Sequence, residues 1–210
     1  MKKGKFFVFE GGEGVGKSTH IAWLKKDLED KNYKIELVRE PGGTEISEKI
    51  RSILLDPGNT DLSDTTELLL YLSARSQLVH QIIKPSLEQG KVVLADRFYH
   101  STFVYQGIVR GLGLDKVMQG NEVAIQGIKP DYTFILDVPT EIGLERAGKV
   151  TGVCGDRLEN EGLYFHKKVR QGYLSLPDLL NENIKIVDAN RDAKVIYEEI
   201  KQEIYSLLIK

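Results

Sequence analysis

The stretch Gly11-Gly12-Glu13-Gly14-Val15-Gly16-Lys17-Ser18 constrains this chain more than any other. It follows an apolar run, Lys5-Phe6-Phe7-Val8-Phe9-Glu10, and leads into Thr19-His20-Ile21-Ala22-Trp23-Leu24. The spacing is G-x-x-x-x-G-K-[ST], and its position between a strand and a helix gives the pattern physical meaning. Glycines let the backbone curl until successive N–H groups point inward. The start of the next helix adds unpaired N–H groups and the positive end of its dipole. Such a loop cradles nucleotide phosphates. Lys17 reaches their outer oxygens, and Ser18 offers its hydroxyl to Mg²⁺.

A strand–loop–helix opening of this kind predicts an α/β chain, and the rest of the sequence repeats the alternation. Short, nearly continuous apolar runs at 5–10, 34–39, 91–96, 132–138 and 184–187 read as strands buried on both faces. Helical patterns at 18–31, 45–55, 65–89, 115–127, 140–147, 161–180 and 192–209 separate them, with Pro85 placed to kink the third. The expected architecture is a five-stranded parallel sheet with helices on both faces, in one domain of residues 1–210.

The chain has 210 residues and a net charge of −2, so no global basic field points to nucleic acid. One cysteine, Cys154, excludes an intrachain disulfide and fits a reducing compartment. The basic start Met1-Lys2-Lys3-Gly4-Lys5 precedes an apolar run too short for a signal peptide or a membrane span. A cytoplasmic protein that binds neither membrane nor nucleic acid is expected. The four histidines are dispersed and show no ligand spacing.

Other constellations carry chemistry. Asp96-Arg97 closes the third strand, at the carboxyl edge where parallel sheets gather ligands. Asp96 suits Mg²⁺, directly or through water, and the planar fork of Arg97 suits phosphate oxygens. Arg39-Glu40-Pro41-Gly42-Gly43-Thr44 makes a sharp loop at the same edge, and Arg51 stands on the following helix. Tyr71 and Arg75, at i and i+4, share a helix face from which a ring can stack on a base and a guanidinium can donate to its carbonyl. Arg146, Lys149 and Arg157 flank or lie in a glycine-bearing segment, 148–157, that reads as a mobile lid.

These residues resemble the bacterial thymidylate kinases. The resemblance rests on Phe9 to Thr19, on Glu40-Pro41-Gly42-Gly43-Thr44, and on Asp96-Arg97-Phe98-Tyr99-His100-Ser101-Thr102-Phe103-Val104-Tyr105-Gln106-Gly107, and it runs essentially from end to end. It implies a three-layer P-loop nucleoside monophosphate kinase fold with a lid at about residues 146–160, and transfer of the γ-phosphoryl group of ATP onto dTMP, giving dTDP, in a homodimer. It implies that Gly11 to Thr19, with Asn190 and Arg191, hold ATP, and that Ser18 and Asp96 hold Mg²⁺. Arg97 and Arg51 would take the dTMP phosphate. Tyr71 would lie on thymine where the family usually has Phe, and Arg75 would bond the base carbonyl. Ser101 and Thr102 would line the base pocket and Gln106 would help close it, with Glu40 in the same acceptor set. Tyr105 would crowd the sugar 2′ position, and Glu13 would approach the 3′-hydroxyl. Some relatives carry an arginine in the loop where this chain has Gly14, so the catalytic charge is expected from Lys17, Arg97 and the lid residues Arg146 and Arg157, with Glu13 beside them. Phe98 stands where Tyr is common in the family.

The attacking atom in such a reaction is a phosphate oxygen, already anionic near neutral pH, so no protein base is required. Competing readings are a kinase for another nucleoside monophosphate, a deoxynucleoside kinase, and a GTPase-type switch. The switch lacks support, because D-x-x-G and N-K-x-D do not occur.

Overall fold

The structure, a computed structural model, describes residues 3–148, 157–158 and 161–209. Lys149, Cys154 and the rest of 149–156, with 159–160, lie outside the described residues, and so does most of the expected lid.

Five strands, β1 (Lys5–Glu10), β2 (Ile35–Arg39), β3 (Val92–Asp96), β4 (Tyr132–Asp137) and β5 (Ile184–Asp188), form one parallel sheet in the order β2-β3-β1-β4-β5. The central strand explains the layering. Phe6 and Val8 of β1 point into one core and Phe7 and Phe9 into the other, and all four are fully buried. Each such side chain contributes about 1.5–3 kcal/mol when taken out of water. A strand this apolar on both faces is stable only when covered on both.

On one face lie α1 (Lys17–Asp30) and α9 (Ala193–Leu208), which supply Leu24, Leu28, Ile196, Ile200 and Ile204. The other face is covered by α3 (Asp64–Leu78), α6 (Leu114–Ile125) and α8 (Leu163–Leu179), with Leu78, Val117 and Tyr173 in the core. The helix α2 (Glu45–Leu55) packs on α3, and α7 (Thr140–Arg146) follows β4. Local sequence starts several of these elements. Thr44 Oγ1 accepts from the Ser47 N–H at 3.0 Å, and Ser63 Oγ accepts from that of Thr66 at 3.2 Å, which caps α2 and α3.

Two regions depart from the sequence expectation. The pattern at 65–89 predicts one helix, kinked at Pro85. The chain instead widens into a π turn, Val79–Ile83, before a short α4 (Lys84–Glu88) whose second residue is Pro85. Proline has no N–H with which to continue the α-helical ladder. The segment after β3, given no helix in the sequence reading, is helical: α5 (Tyr99–Thr102) runs into a π-helical stretch, Phe103–Val109. Aromatic and β-branched residues here are weak helix formers, and burial of Tyr99, Phe103, Val104 and Tyr105 overrides that preference.

Candidate active site

The glycine loop turns on backbone conformations that side chains resist. Gly11, Gly14 and Gly16 have φ of 130°, 64° and 93°. The helix α1 then begins with no side-chain cap and no acidic residue in its first turn, which leaves its N–H groups for an anion. Lys17 Nζ donates to the carbonyls of Gly11 and Gly12 at 3.1 and 2.8 Å. Burial lowers the Lys17 pKa to about 8, helped by the nearby Arg97 charge. An arriving polyphosphate would raise that pKa again by supplying anions. Glu13, Val15 and Thr19 line the cleft above this loop, together with Gly14, Gly16, Lys17 and Ser18.

β3 pairs with β1 in register, Phe9 opposite Asp96, so the end of β3 meets the start of the loop. Ser18 Oγ donates to Asp96 Oδ2 at 3.1 Å. Arg97 follows in a left-handed conformation, φ 70°, which costs a non-glycine residue about 1–2 kcal/mol. The turn brings its guanidinium back over β1. Nη1 donates to Gly11 O at 3.0 Å and to Tyr173 Oη at 2.7 Å, and Nη2 pairs with Glu13 at 3.0 Å. Burial works against the charge of Arg97, but Tyr105, Tyr173, Glu13 and Glu10 outweigh it and hold the group firmly protonated.

Glu10 supports this arrangement from below. It is fully buried, yet its carboxylate accepts from the N–H groups of Phe98 (2.8 Å) and Ser101 (3.2 Å), from Ser101 Oγ (2.7 Å) and from Tyr173 Oη (2.9 Å). Four donors satisfy the acceptor sites of a buried carboxylate.

Across the cleft, the Glu40 loop meets α3. Arg75, 1% exposed, donates Nε to Glu40 Oε2 at 2.8 Å and Nη2 to the same oxygen at 2.5 Å. Its Nη1 donates to Asn121 Oδ1 at 2.7 Å and Thr102 Oγ1 at 3.2 Å. Burial pushes Glu40 up to about 7, against the pull of Arg75. Arg51 reaches back from α2 and donates to Pro41 O at 2.7 Å, which puts it on the cleft wall. Tyr71 lines the same wall, and burial together with the Glu67 charge raises its hydroxyl pKa. Gln106 donates to the buried Glu67 at 2.6 Å, and burial pushes Tyr105 up to about 12.

On the opposite side, Arg146 donates to Ala189 O at 3.0 Å and to Asn190 Oδ1 at 3.3 Å. Arg191 is held by Asp188 O at 2.9 Å and Glu199 at 2.6 Å. Among the described residues, Arg157 has partners on α2 and α3 and none in the glycine loop: Leu54 O at 3.0 Å, and Glu67 through a close ion pair.

One cleft of about 760 Å³ thus joins the loop, Asp96, Arg97, Ser101, Thr102, Tyr105 and Gln106 to Glu40, Arg51, Tyr71 and Arg75, and, on its far side, to Arg146 and Arg191. Gly11, Gly12, Asn190 and Arg157 are not among the described residues that line it. Sequence reasoning missed Glu10, Glu67, Asn121 and Tyr173 as site residues. Glu10 left a signal, an acid closing a strand otherwise apolar on both faces. Glu67 reads as an ordinary first-turn acid of a helix, and Asn121 and Tyr173 arrive from helices remote in the chain. A hard cation fits between Ser18 and Asp96, because Mg²⁺ needs only one or two protein oxygens beside phosphate and water. Among the described residues no larger metal-binding cluster forms.

Comparison with known proteins gives a consistent result. The family model described as thymidylate kinase matches residues 9–200. A protein named thymidylate kinase from Thermoanaerobacter sp. strain X514 is 46% identical over 94% of this chain and 96% of its own length. One from Halothermothrix orenii is 46% identical over 99% of this chain and 100% of its own. The crystal structure of thymidylate kinase from Ehrlichia chaffeensis is similar with a TM-score of 0.78 at 28% identity, over 96% of this chain and 99% of that one.

Proposed function

The chain belongs to the thymidylate kinase family, and from that premise we propose how its site moves the γ-phosphoryl group of ATP onto dTMP to give dTDP and ADP. The observation that carries the reading is the convergence of a phosphate loop, the Ser18–Asp96 pair and Arg97 in one cleft with Tyr71 and Arg75. Such a cleft has room and chemistry for two nucleotides meeting at their phosphates.

In this reading residues 11–19 hold the ATP phosphates, with Asn190 and Arg191 beside its base. Ser18 and Asp96 would hold Mg²⁺, which supplies charge neutralisation between the phosphates when bound. Arg97 and Arg51 take the dTMP phosphate, Tyr71 stacks on thymine, and Arg75 donates to the base from a guanidinium fixed by Glu40 and Asn121. Ser101, Thr102, Tyr105 and Gln106 shape the pocket around sugar and base, and Glu13 approaches the 3′-hydroxyl. Lys17, Arg97 and Arg146 offset the repulsion of two anions brought into contact, which is the main barrier once the reactants are aligned. No side chain need act as a base.

The proposal extends to the setting. The chain works as one domain with a lid at about residues 146–160, in the cytoplasm and as a homodimer. Leu69 of α3 and Met118 and Val123 of α6 are exposed on helices that pack together, and a second copy would cover them. Among the described residues no helix is long and apolar enough to cross a membrane.

A coupled ADP assay with ATP, Mg²⁺ and a panel of nucleoside monophosphates and deoxynucleosides tests the reading. Turnover with dTMP above the rest of the panel is expected, and loss of it without Mg²⁺. No ADP formed with dTMP refutes it.

A further inference from the structure

We infer that Arg157 is a positioning residue for the acceptor nucleotide, acting through the buried carboxylate of Glu67, and not a charge placed on the transferring phosphoryl group. The inference rests on the dTMP reading above.

The guanidinium of Arg157 is committed. Its Nε donates to Leu54 O at 3.0 Å, its backbone N–H donates to Leu55 O at 3.2 Å, and its Nη2 pairs closely with Glu67 Oε2. Leu54 and Leu55 form the last turn of α2, where carbonyls lack helical partners and the dipole favours a cation. The site therefore suits an arginine that stays, and reaching a phosphoryl group would strip a buried ion pair.

Glu67 passes the effect on. It is 1% exposed, and its second oxygen accepts from Gln106 Nε2 at 2.6 Å, which fixes the amide of a residue on the cleft wall. Tyr71 stands one helical turn further along α3, on the same face. The other cation at hand is Arg110, whose Nε lies 3.6 Å from Glu67, outside hydrogen-bond distance, while its Nη2 is paired with Glu161 at 2.8 Å. Removal of Arg157 leaves a buried carboxylate short of a partner. The carboxylate must then turn toward Arg110 or water, and Gln106 turns with it. The loss falls on the pocket for the acceptor and spares the phosphate loop.

The test uses the full chain. Binding of dTMP without ATP is measured by calorimetry, and steady-state kinetics are run for both substrates, on the wild type, Arg157→Ala, Arg157→Lys and Glu67→Gln. Arg157→Ala and Glu67→Gln are each expected to raise the dTMP Kd and KM by about tenfold, with kcat within about threefold and the ATP KM unchanged. The double variant should be no worse than the weaker single, because the two residues act as one unit. Arg157→Lys, which keeps the charge but not the two-point attachment, should fall between wild type and alanine in Kd. It also serves if the alanine variant does not fold. A kcat lowered about a hundredfold with the dTMP Kd unchanged is the signature of transition-state charge and overturns the inference. So does a dTMP Kd equal to wild type in every variant. A wild type that binds no dTMP is a separate result, and sinks the acceptor reading itself.

Discussion

Replacing Gly14 with alanine probes how the phosphate loop is held. Gly14 sits at φ +64°, and a Cβ built there would meet Gly143 O at 1.9 Å, with Gly143 C at 2.8 Å and Ala147 N at 3.1 Å. The first contact is about 1.5 Å closer than the 3.4 Å at which ordinary contact begins, and every atom in the way is backbone of α7 or its end. The fit is reciprocal, since a Cβ on Gly143 would meet Glu13 O at 2.4 Å. The loop and α7 are therefore in backbone-to-backbone contact that only glycine permits. A left-handed conformation costs alanine about 1–2 kcal/mol, and overpacking adds about 1–3 kcal/mol. Together they are a sizeable share of a stability of about 5–15 kcal/mol. For a chain of this size about 2–4 °C is lost per kcal/mol, so thermal unfolding of the nucleotide-free protein should shift down by about 4–20 °C. ATP binding, read by calorimetry, should weaken as the loop is pushed off α7. Gly12→Ala is the internal control. A Cβ there meets nothing within 4 Å and the residue has no positive φ, so its melting temperature should stay near wild type. Equal melting temperatures for Gly14→Ala and Gly12→Ala would refute the reasoning. The same wall stands against an arginine at position 14, so the loop arginine of other relatives should not be transplantable here.

Two further outcomes follow from the site. Tyr173→Phe removes the hydroxyl that accepts from Arg97 and donates to Glu10, and should lower kcat/KM for dTMP by a factor of about 5–30, worth about 1–2 kcal/mol; an unchanged kcat/KM would show that Arg97 is held without it. Burial raises the Glu40 pKa from 4.5 to about 7, so between those values the folded chain keeps a proton that the unfolded chain has released. Stability from this group is present in full below about pH 4.5 and is lost as pH rises to about 7. The melting temperature of the wild type relative to Glu40→Gln should fall across that window, and a difference that grows with pH would contradict the assignment.

The ends of β1 and β3 were legible in sequence because each runs apolar and then stops beside residues with phosphate or cation chemistry, the loop from Gly11 and Asp96-Arg97. The helix that carries Ser101, Thr102, Tyr105 and Gln106 was not. Its residues have poor intrinsic helix preference, and only burial of Tyr99, Phe103 and Val104 makes the conformation favourable. Arg75 was legible as a helix-face partner of Tyr71, but its partners Glu40, Thr102 and Asn121 come from three other parts of the chain. In sequence Arg157 closes a glycine-bearing segment with Arg146 and Lys149 nearby, and so reads as a lid charge. In space its neighbours are Leu54 and Glu67.

The sequence by itself determined the layered α/β fold, the phosphate loop and the kinship with thymidylate kinases, because those depend on local pattern: apolar periodicity, glycines at fixed offsets, and a lysine and serine at a helix start. The tertiary structure decided which charges are free to meet a ligand and which are already held. That question depends on burial and on partners remote in the chain. Glu10 holds Ser101 and Tyr173, and Arg157 pairs with Glu67, only because the sheet and α3 bring those groups within hydrogen-bond distance and shut out the water that would otherwise compete.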